Sequence, residues 1–179
     1  MILFVNGPFG VGKTSTTGLI ARRRPDALIV NPEDIGHMLW AQLPEALRTE
    51  EFELEPVWPP LTRCMLDQAA RHYDRPVVVP MTIARQPVFD QIVRPLREAG
   101  HHVRHFTLLA EAATIRSRLR ERGEGPDKWG PLSWEGNQVE RCLDALRRPE
   151  FADHVDTEHR PAAAVADEIL ARAGLLPAV

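Results

Sequence analysis

The chain has 179 residues, 44% of them hydrophobic and 26% charged, with a formal net charge of −3. That composition fits one globular domain, 1–179, with a full-sized core, and its acidic balance argues against a nucleic-acid binder. No apolar run approaches the roughly 18 residues that span a bilayer, and Cys64 and Cys142 lack metal-type spacing, so free thiols in a reducing compartment are expected.

The N-terminus has no charged leader region or cleavage site, which gives a cytoplasmic address without stable membrane insertion as the expectation. The first element is an apolar strand, Ile2–Val5, followed at once by NGPFGVGKTS. Gly7-Pro8-Phe9-Gly10-Val11-Gly12-Lys13-Thr14 satisfies G-x-x-x-x-G-K-[ST] at every fixed position. A strand precedes it and a helix, Thr14–Arg23, follows. Glycines there let successive backbone N–H groups turn into one concavity. The helix N-terminus adds further N–H groups and its positive end. The pattern predicts a polyphosphate cradle running to Ser15, with Lys13 on the β- and γ-phosphates of a nucleotide and the Thr14 hydroxyl on Mg²⁺, as in GTPase switches, ATP-driven machines and small-molecule kinases.

Further along, a strand at Ala27–Val30 leads through Asn31-Pro32-Glu33-Asp34 into a helix at Asp34–Leu43. Carboxylates at a strand's C-terminal end line the crevice where ligands of parallel sheets bind. Glu33, with Asp34 second, is therefore the candidate base for a substrate hydroxyl, or the pair holds Mg²⁺ through water; Asn31 or Asp34 also suits a helix N-cap. The stretch 44–60 holds four prolines and several acids and reads as a mobile segment on the substrate side. Trp40, Phe52, Leu54 and Trp58 in and around it are candidates to contact the apolar or aromatic part of a ligand. A helix at Leu61–Tyr73 and a strand at Pro76–Val79 follow. That strand runs into Pro80-Met81 rather than an Asp or Glu, which weakens a motor-ATPase reading, and no guanine-reading Asn-Lys-x-Asp is present. Thr82 and Arg85, just beyond, are placed on the crevice rim as substrate contacts.

The second half alternates in the same way. A helix at Val88–Ala99 precedes a strand at Val103–Leu109 that begins among His101, His102 and His105; a metal site there lacks a completing carboxylate or cysteine. In the helix Ala112–Arg122, spacing at about 100° per residue puts Arg118 and Arg122 beside the Ile115/Leu119 stripe, with Arg116 and Arg120 turned away. Arg118 and Arg122 are thus candidates to hold a base and a phosphate. Residues 123–136, rich in glycine and proline and carrying Trp129 and Trp134, read as a lid. Helices at Gln138–Arg147 and Ala162–Ala173 flank a last strand at His154–Thr157, and the final helix has no basic face for membrane attachment. Short apolar strands separated by helices predict an α/β fold of three layers, with a parallel five-stranded sheet between helices.

Asn6–Thr14, Asn31–Gly36 and Val79–Ile83 together resemble the tunicamycin-resistance proteins, small bacterial P-loop ATP-binding proteins of the nucleotide-kinase-like group. The likeness covers the first half well and the second loosely. Arg118-Leu119-Arg120-Glu121-Arg122 is similar to the R-L-x-x-R of adenylate-type kinases, which implies Arg118 on adenine and Arg122 on phosphate. Asn31–Asp34 resembles the segment carrying the base in polynucleotide-kinase-like enzymes, with Glu33 replacing the usual Asp. Val155–Thr157 resembles the last strand of these kinases, which implies Thr157 to Arg160 near the base. The resemblance implies ATP and Mg²⁺ as cofactors and resistance to tunicamycin, a nucleoside antibiotic with a uridine end, sugars and a fatty-acyl tail, either by phosphorylation or by sequestration. A kinase of an ordinary metabolite is the other alternative, and a homodimer is compatible with all three.

Overall fold

The structure, a computed structural model, describes residues 1–122, 133–151 and 153–176. Five parallel strands, β1 (Ile2–Asn6), β2 (Leu28–Ile29), β3 (Val77–Met81), β4 (Val103–Leu109) and β5 (His154–Asp156), form one sheet in the order β2-β3-β1-β4-β5. Ile2 stands in register with Val77 on one side and Val103 on the other. The central strand is therefore also the first in sequence, and its Ile2, Leu3, Phe4 and Val5 are all 0% exposed. Apolar side chains on both faces are what a sheet covered by helices on both sides requires.

The helices are α1 (Lys13–Arg23), α2 (Pro32–Gln42), α3 (Trp58–His72), α4 (Gln86–Glu98), α5 (Ala112–Glu121), α6 (Trp134–Leu146) and α7 (Ala162–Ala173). Two apolar clusters sandwich the sheet. One joins Leu3 and Val5 to Ile20, Ile115, Leu143 and Ile169. The other joins Ile2 and Phe4 to Trp58, Leu66, Ile92 and Phe151. The three-layer α/β architecture expected from the alternation is what the structure shows.

The differences from expectation have local causes. Strand β2 keeps two residues instead of four because it is an edge strand, with Ile29 44% exposed, and Pro32 starts α2 directly. Helix α3 begins at Trp58, three residues early, since Pro59 and Pro60 fall in its first turn, where a missing N–H costs nothing. Helix α6 begins at Trp134, capped by Ser133, whose Oγ accepts from the Gly136 N–H at 2.9 Å. Trp129 and the body of the expected lid, 123–132, lie outside the described residues. His101 hydrogen-bonds Asp67 at 2.7 Å, whereas His105 is buried against Phe89 and Phe151, so the two do not share a site.

The segment 44–60 is mostly exposed, but it makes two short 3₁₀ turns, Glu45–Leu47 and Phe52–Leu54, and buries the side chain of Glu55, which is 3% exposed. That carboxylate accepts hydrogen bonds from Trp40 Nε1 at 2.8 Å, Thr49 N at 2.6 Å and Thr49 Oγ1 at 2.8 Å. Phe52 then lies over α2, where a Cβ built at Gly36 would come within 2.5 Å of its ring. Gly36→Ala is expected to push Phe52 off this helix and to cost about 1–3 kcal/mol, as other overpacked sites do; urea unfolding measures it.

Candidate active site

The loop after β1 leaves the sheet at its middle, where the chain crosses from β3 on one side to β4 on the other. Ligands of open parallel sheets collect at this switch point. Asn6, fully buried at the strand end, fixes the loop's departure. Its side chain accepts from Gly7 N at 2.8 Å and Ile83 N at 3.0 Å and donates to the Ile83 carbonyl at 2.9 Å.

Gly10 and Gly12 have φ of 78° and 108°, conformations that side chains resist. Gly10 is doubly constrained, because a Cβ there would sit 2.7 Å from Leu119 of α5. Gly12 is the N-cap of α1 and offers no side-chain cap. The Thr16 N–H bonds back to the Gly12 carbonyl at 2.9 Å. The N–H groups ahead of it, in the first turn, have no partner inside the helix and point out of its end. Lys13 Nζ donates to the Gly7 and Pro8 carbonyls at 2.8 and 3.0 Å, folding its ammonium back over the loop. Burial pushes it down from its ordinary 10.5 to about 8, against the pull of the Glu33 carboxylate. Thr14 and Ser15 are exposed at the helix end.

Two cavities flank this loop. The smaller, about 350 Å³, lies between Gly10–Gly12, Ser15, Arg118, Thr157 and Arg160. Arg118 donates to the Val11 and Thr157 carbonyls at 3.2 and 2.8 Å, and so ties the phosphate loop to the turn after β5. Arg160 is held by Asp156 and Glu168. Arg116, expected to point away, does so: it pairs with Glu140 of α6 at 2.9 Å.

The larger cavity, about 570 Å³, lies on the other side of the loop. Phe9, His37, Trp40, Phe52 and Trp58 form an aromatic wall, and Glu33, Glu51, Glu53, Thr82, Arg122 and Arg141 supply its polar groups. Trp58, expected to touch a ligand, is only 2% exposed and donates to the Pro32 carbonyl at 2.9 Å. It meets the cavity from the core side and ties α3 to the first turn of α2, which carries Glu33. Asp34, the other acid proposed there, is exposed, lies near Asn31 Nδ2 at 3.4 Å and lines neither cavity. Adjacent residues of one helix face directions about 100° apart, and of the two acids it is Glu33 that lines the cavity. Asn31 is the cap, accepting from Glu33 N at 3.1 Å. Thr82 Oγ donates to the Gly7 carbonyl at 3.0 Å and braces the loop.

Arg85 does not line the cavity, because Glu51 and Glu53 hold it at 3.3 and 3.4 Å. Glu51 is shared with Arg141 of α6 at 2.6 Å. These acids, Gln138 and Arg141 were not singled out from the sequence; the run Glu50-Glu51-Phe52-Glu53-Leu54-Glu55 was the only visible signal. Glu53 accepts from Ala84 N at 2.6 Å, and burial pushes it up to about 7. A glutamate of the unfolded chain titrates near 4.5, so between these values the folded state keeps a proton the unfolded state has lost. This contribution is present at low pH and fades as pH rises to 7, by on the order of 3 kcal/mol. Glu53→Gln should remove it: the melting temperature of the variant relative to wild type is expected to rise between pH 5 and pH 8. A constant difference would contradict the burial argument.

The chain matches, over residues 2–149, the protein family described as an AAA domain. No curated protein sequence matches it. Among solved structures it is similar to the Deinococcus radiodurans tunicamycin resistance protein, at 30% identity and a TM-score of 0.79 over 97% of this chain and 96% of that one. A gluconokinase from Sinorhizobium meliloti 1021 follows at 18% identity and TM-score 0.63, covering 96% and 90%. A shikimate kinase from Bacteroides thetaiotaomicron has 17% identity and TM-score 0.58, covering 96% and 95%. The last two speak to fold alone. Fold and loop define a P-loop protein of the kinase-like class. Within it, the chain belongs to the tunicamycin-resistance protein family. Among the described residues no helix is long and apolar enough to cross a membrane.

Proposed function

We propose that the protein is an ATP-dependent phosphotransferase acting on a hydroxyl of a small, nucleoside-type antibiotic. The observation that carries this reading is the position of Lys13 and Arg122. Arg122 lines both cavities, and Lys13 feels the charges of both Arg122 and Glu33.

The residues present suit a nucleoside triphosphate with Mg²⁺. The loop amides and the Lys13 ammonium form an anion cradle, the exposed Thr14 hydroxyl at the helix end would hold the metal, and the smaller cavity has room for a base beside Arg118, Thr157 and Arg160. Bound there, the nucleotide supplies the phosphoryl group and the metal offsets its charge. Lys13 leaves its carbonyl partners to neutralise the terminal phosphates. Arg122 reaches the transferred group from the α5 side. Glu33 orients the acceptor hydroxyl and takes its proton.

A second reading, ATP-gated sequestration without chemistry, is favoured by one feature: β3 ends in Pro80-Met81 and supplies no acid to a metal. Incubation with ATP, Mg²⁺ and tunicamycin, followed by mass spectrometry of the drug, separates the two. A drug heavier by one phosphoryl group is the expected product. Tight binding with the drug returned unchanged establishes sequestration instead. If tunicamycin is inert and another metabolite in a panel releases ADP, the antibiotic assignment fails.

A further inference from the structure

A phosphate loop holds an anion only if its amides point inward, and each amide shares a rigid plane with a carbonyl. Across a trans peptide the C=O and the N–H lie on opposite sides. Whatever grips a carbonyl therefore sets the direction of the next residue's N–H, and outward carbonyls need partners of their own. Three of them are satisfied within the loop and its helix. Lys13 takes those of Gly7 and Pro8, and the Thr16 N–H takes that of Gly12. The Val11 carbonyl is held from outside. Arg118 Nη1 donates to it at 3.2 Å, from 107 residues away, and the Thr157 hydroxyl lies 3.4 Å from it. Val11 is 1% exposed, so water is no substitute. Arg118 is itself fixed, with Nη2 donating to the Thr157 carbonyl at 2.8 Å and Nη1 to the Thr157 hydroxyl at 3.2 Å. The peptide it grips carries the Gly12 N–H, which has no hydrogen-bond partner among the described residues. With glycine on its far side, at φ 108°, that peptide is free to rotate unless something holds it.

We infer that Arg118 is a positioning residue for phosphate binding: without touching the anion, it holds the Val11–Gly12 peptide with its N–H turned into the cradle. Its charge also polarises that peptide and makes the Gly12 N–H a stronger donor. The inference rests on the nucleotide site proposed above and gives Arg118 a role at the phosphate end, separate from any contact with the base.

The test is calorimetric titration of the full chain with inorganic tripolyphosphate and, separately, with a non-hydrolysable ATP analogue, both with Mg²⁺. Tripolyphosphate has no base, so it reads the cradle alone. Arg118→Met is expected to weaken tripolyphosphate binding by about tenfold, the worth of one hydrogen bond to a charged group, and the analogue at least as much. Arg118→Lys, the variant to rely on if the methionine does not fold, should weaken it too. A single ammonium cannot keep the fork that spans the Val11 and Thr157 carbonyls. Arg116→Met, which loses an ion pair to Glu140 instead, is the control and should bind as wild type does. In protein carrying 15N-labelled glycine, tripolyphosphate should move the Gly12 amide signal strongly in wild type and weakly in the Arg118 variants. Tripolyphosphate bound equally by wild type and both Arg118 variants, with the analogue alone weakened, would make Arg118 a base contact and overturn the inference. So would an equal Gly12 shift in all of them, or a wild type that binds the analogue but not tripolyphosphate. A wild type that binds neither removes the proposed nucleotide site, and this inference with it.

Discussion

Lys13→Met is expected to lower nucleotide affinity by about 100-fold at pH 7, since hydrogen bonds to a charged group contribute roughly 1.5–3 kcal/mol each and the ammonium makes more than one to a polyphosphate. The structure explains why the loss should be large. In the free protein the ammonium is already bent over the loop on the Gly7 and Pro8 carbonyls, so it is poised without needing to be ordered on binding. Burial lowers its pKa to about 8, so an anion placed beside it would favour the charged form. The sign follows: a polyphosphate stabilises the protonated form, so wild-type affinity is highest below pH 8 and falls as pH rises through it. The methionine variant should bind weakly at every pH, with that slope gone. Fluorescence titration of a labelled ATP from pH 6.5 to 9.5 reads both effects; equal affinities for the two proteins would remove the cradle from the mechanism.

The second large effect concerns chemistry rather than binding. Glu33→Gln is expected to slow phosphoryl transfer by on the order of 10²–10⁴-fold, the range for losing a positioned base, while nucleotide affinity at pH 7 stays within a few-fold of wild type. Asp34→Asn is the matched control. Asp34 is exposed and lines neither cavity, so its neutralisation should leave turnover nearly intact. A rate loss at Asp34 that equals the loss at Glu33 would place the base on the wrong residue.

What could be read from the sequence depended on whether neighbours in the site are also neighbours in the chain. The phosphate loop is one contiguous stretch, and each of its residue types has a local cause, so motif and flanking periodicity located it. Arg118 and Arg122 were legible because helical spacing alone puts them beside Leu119. Glu33 and Asp34 could not be separated that way. The difference between them is how α2 lies against the rest of the fold, and one contact that holds it, Trp58 to the Pro32 carbonyl, comes from 26 residues away. Trp58 itself lines the cavity while being 2% exposed, a core position that its place beside a loop did not reveal. Glu53, Gln138 and Arg141 come together from the 44–60 segment and α6, across a gap no periodicity bridges. The pairing of Glu51 and Glu53 with Arg85 was invisible too. The acidic segment read as a loop because prolines and acids are typical of loops; what that composition hid is Glu55, whose buried carboxylate accepts from Trp40 and Thr49.

The central claim is that backbone amides at the end of β1, with Lys13, hold a nucleotide's polyphosphate. The most direct measurement is a crystal structure of the protein grown with Mg²⁺ and a non-hydrolysable ATP analogue. The account predicts the β- and γ-phosphates within hydrogen-bond distance of the amides of residues 10–15, with Lys13 Nζ moved from the Gly7 and Pro8 carbonyls onto a phosphate oxygen and the base beside Arg118. An analogue seated elsewhere, or a lysine still bonded to those carbonyls beside an empty loop, would contradict it.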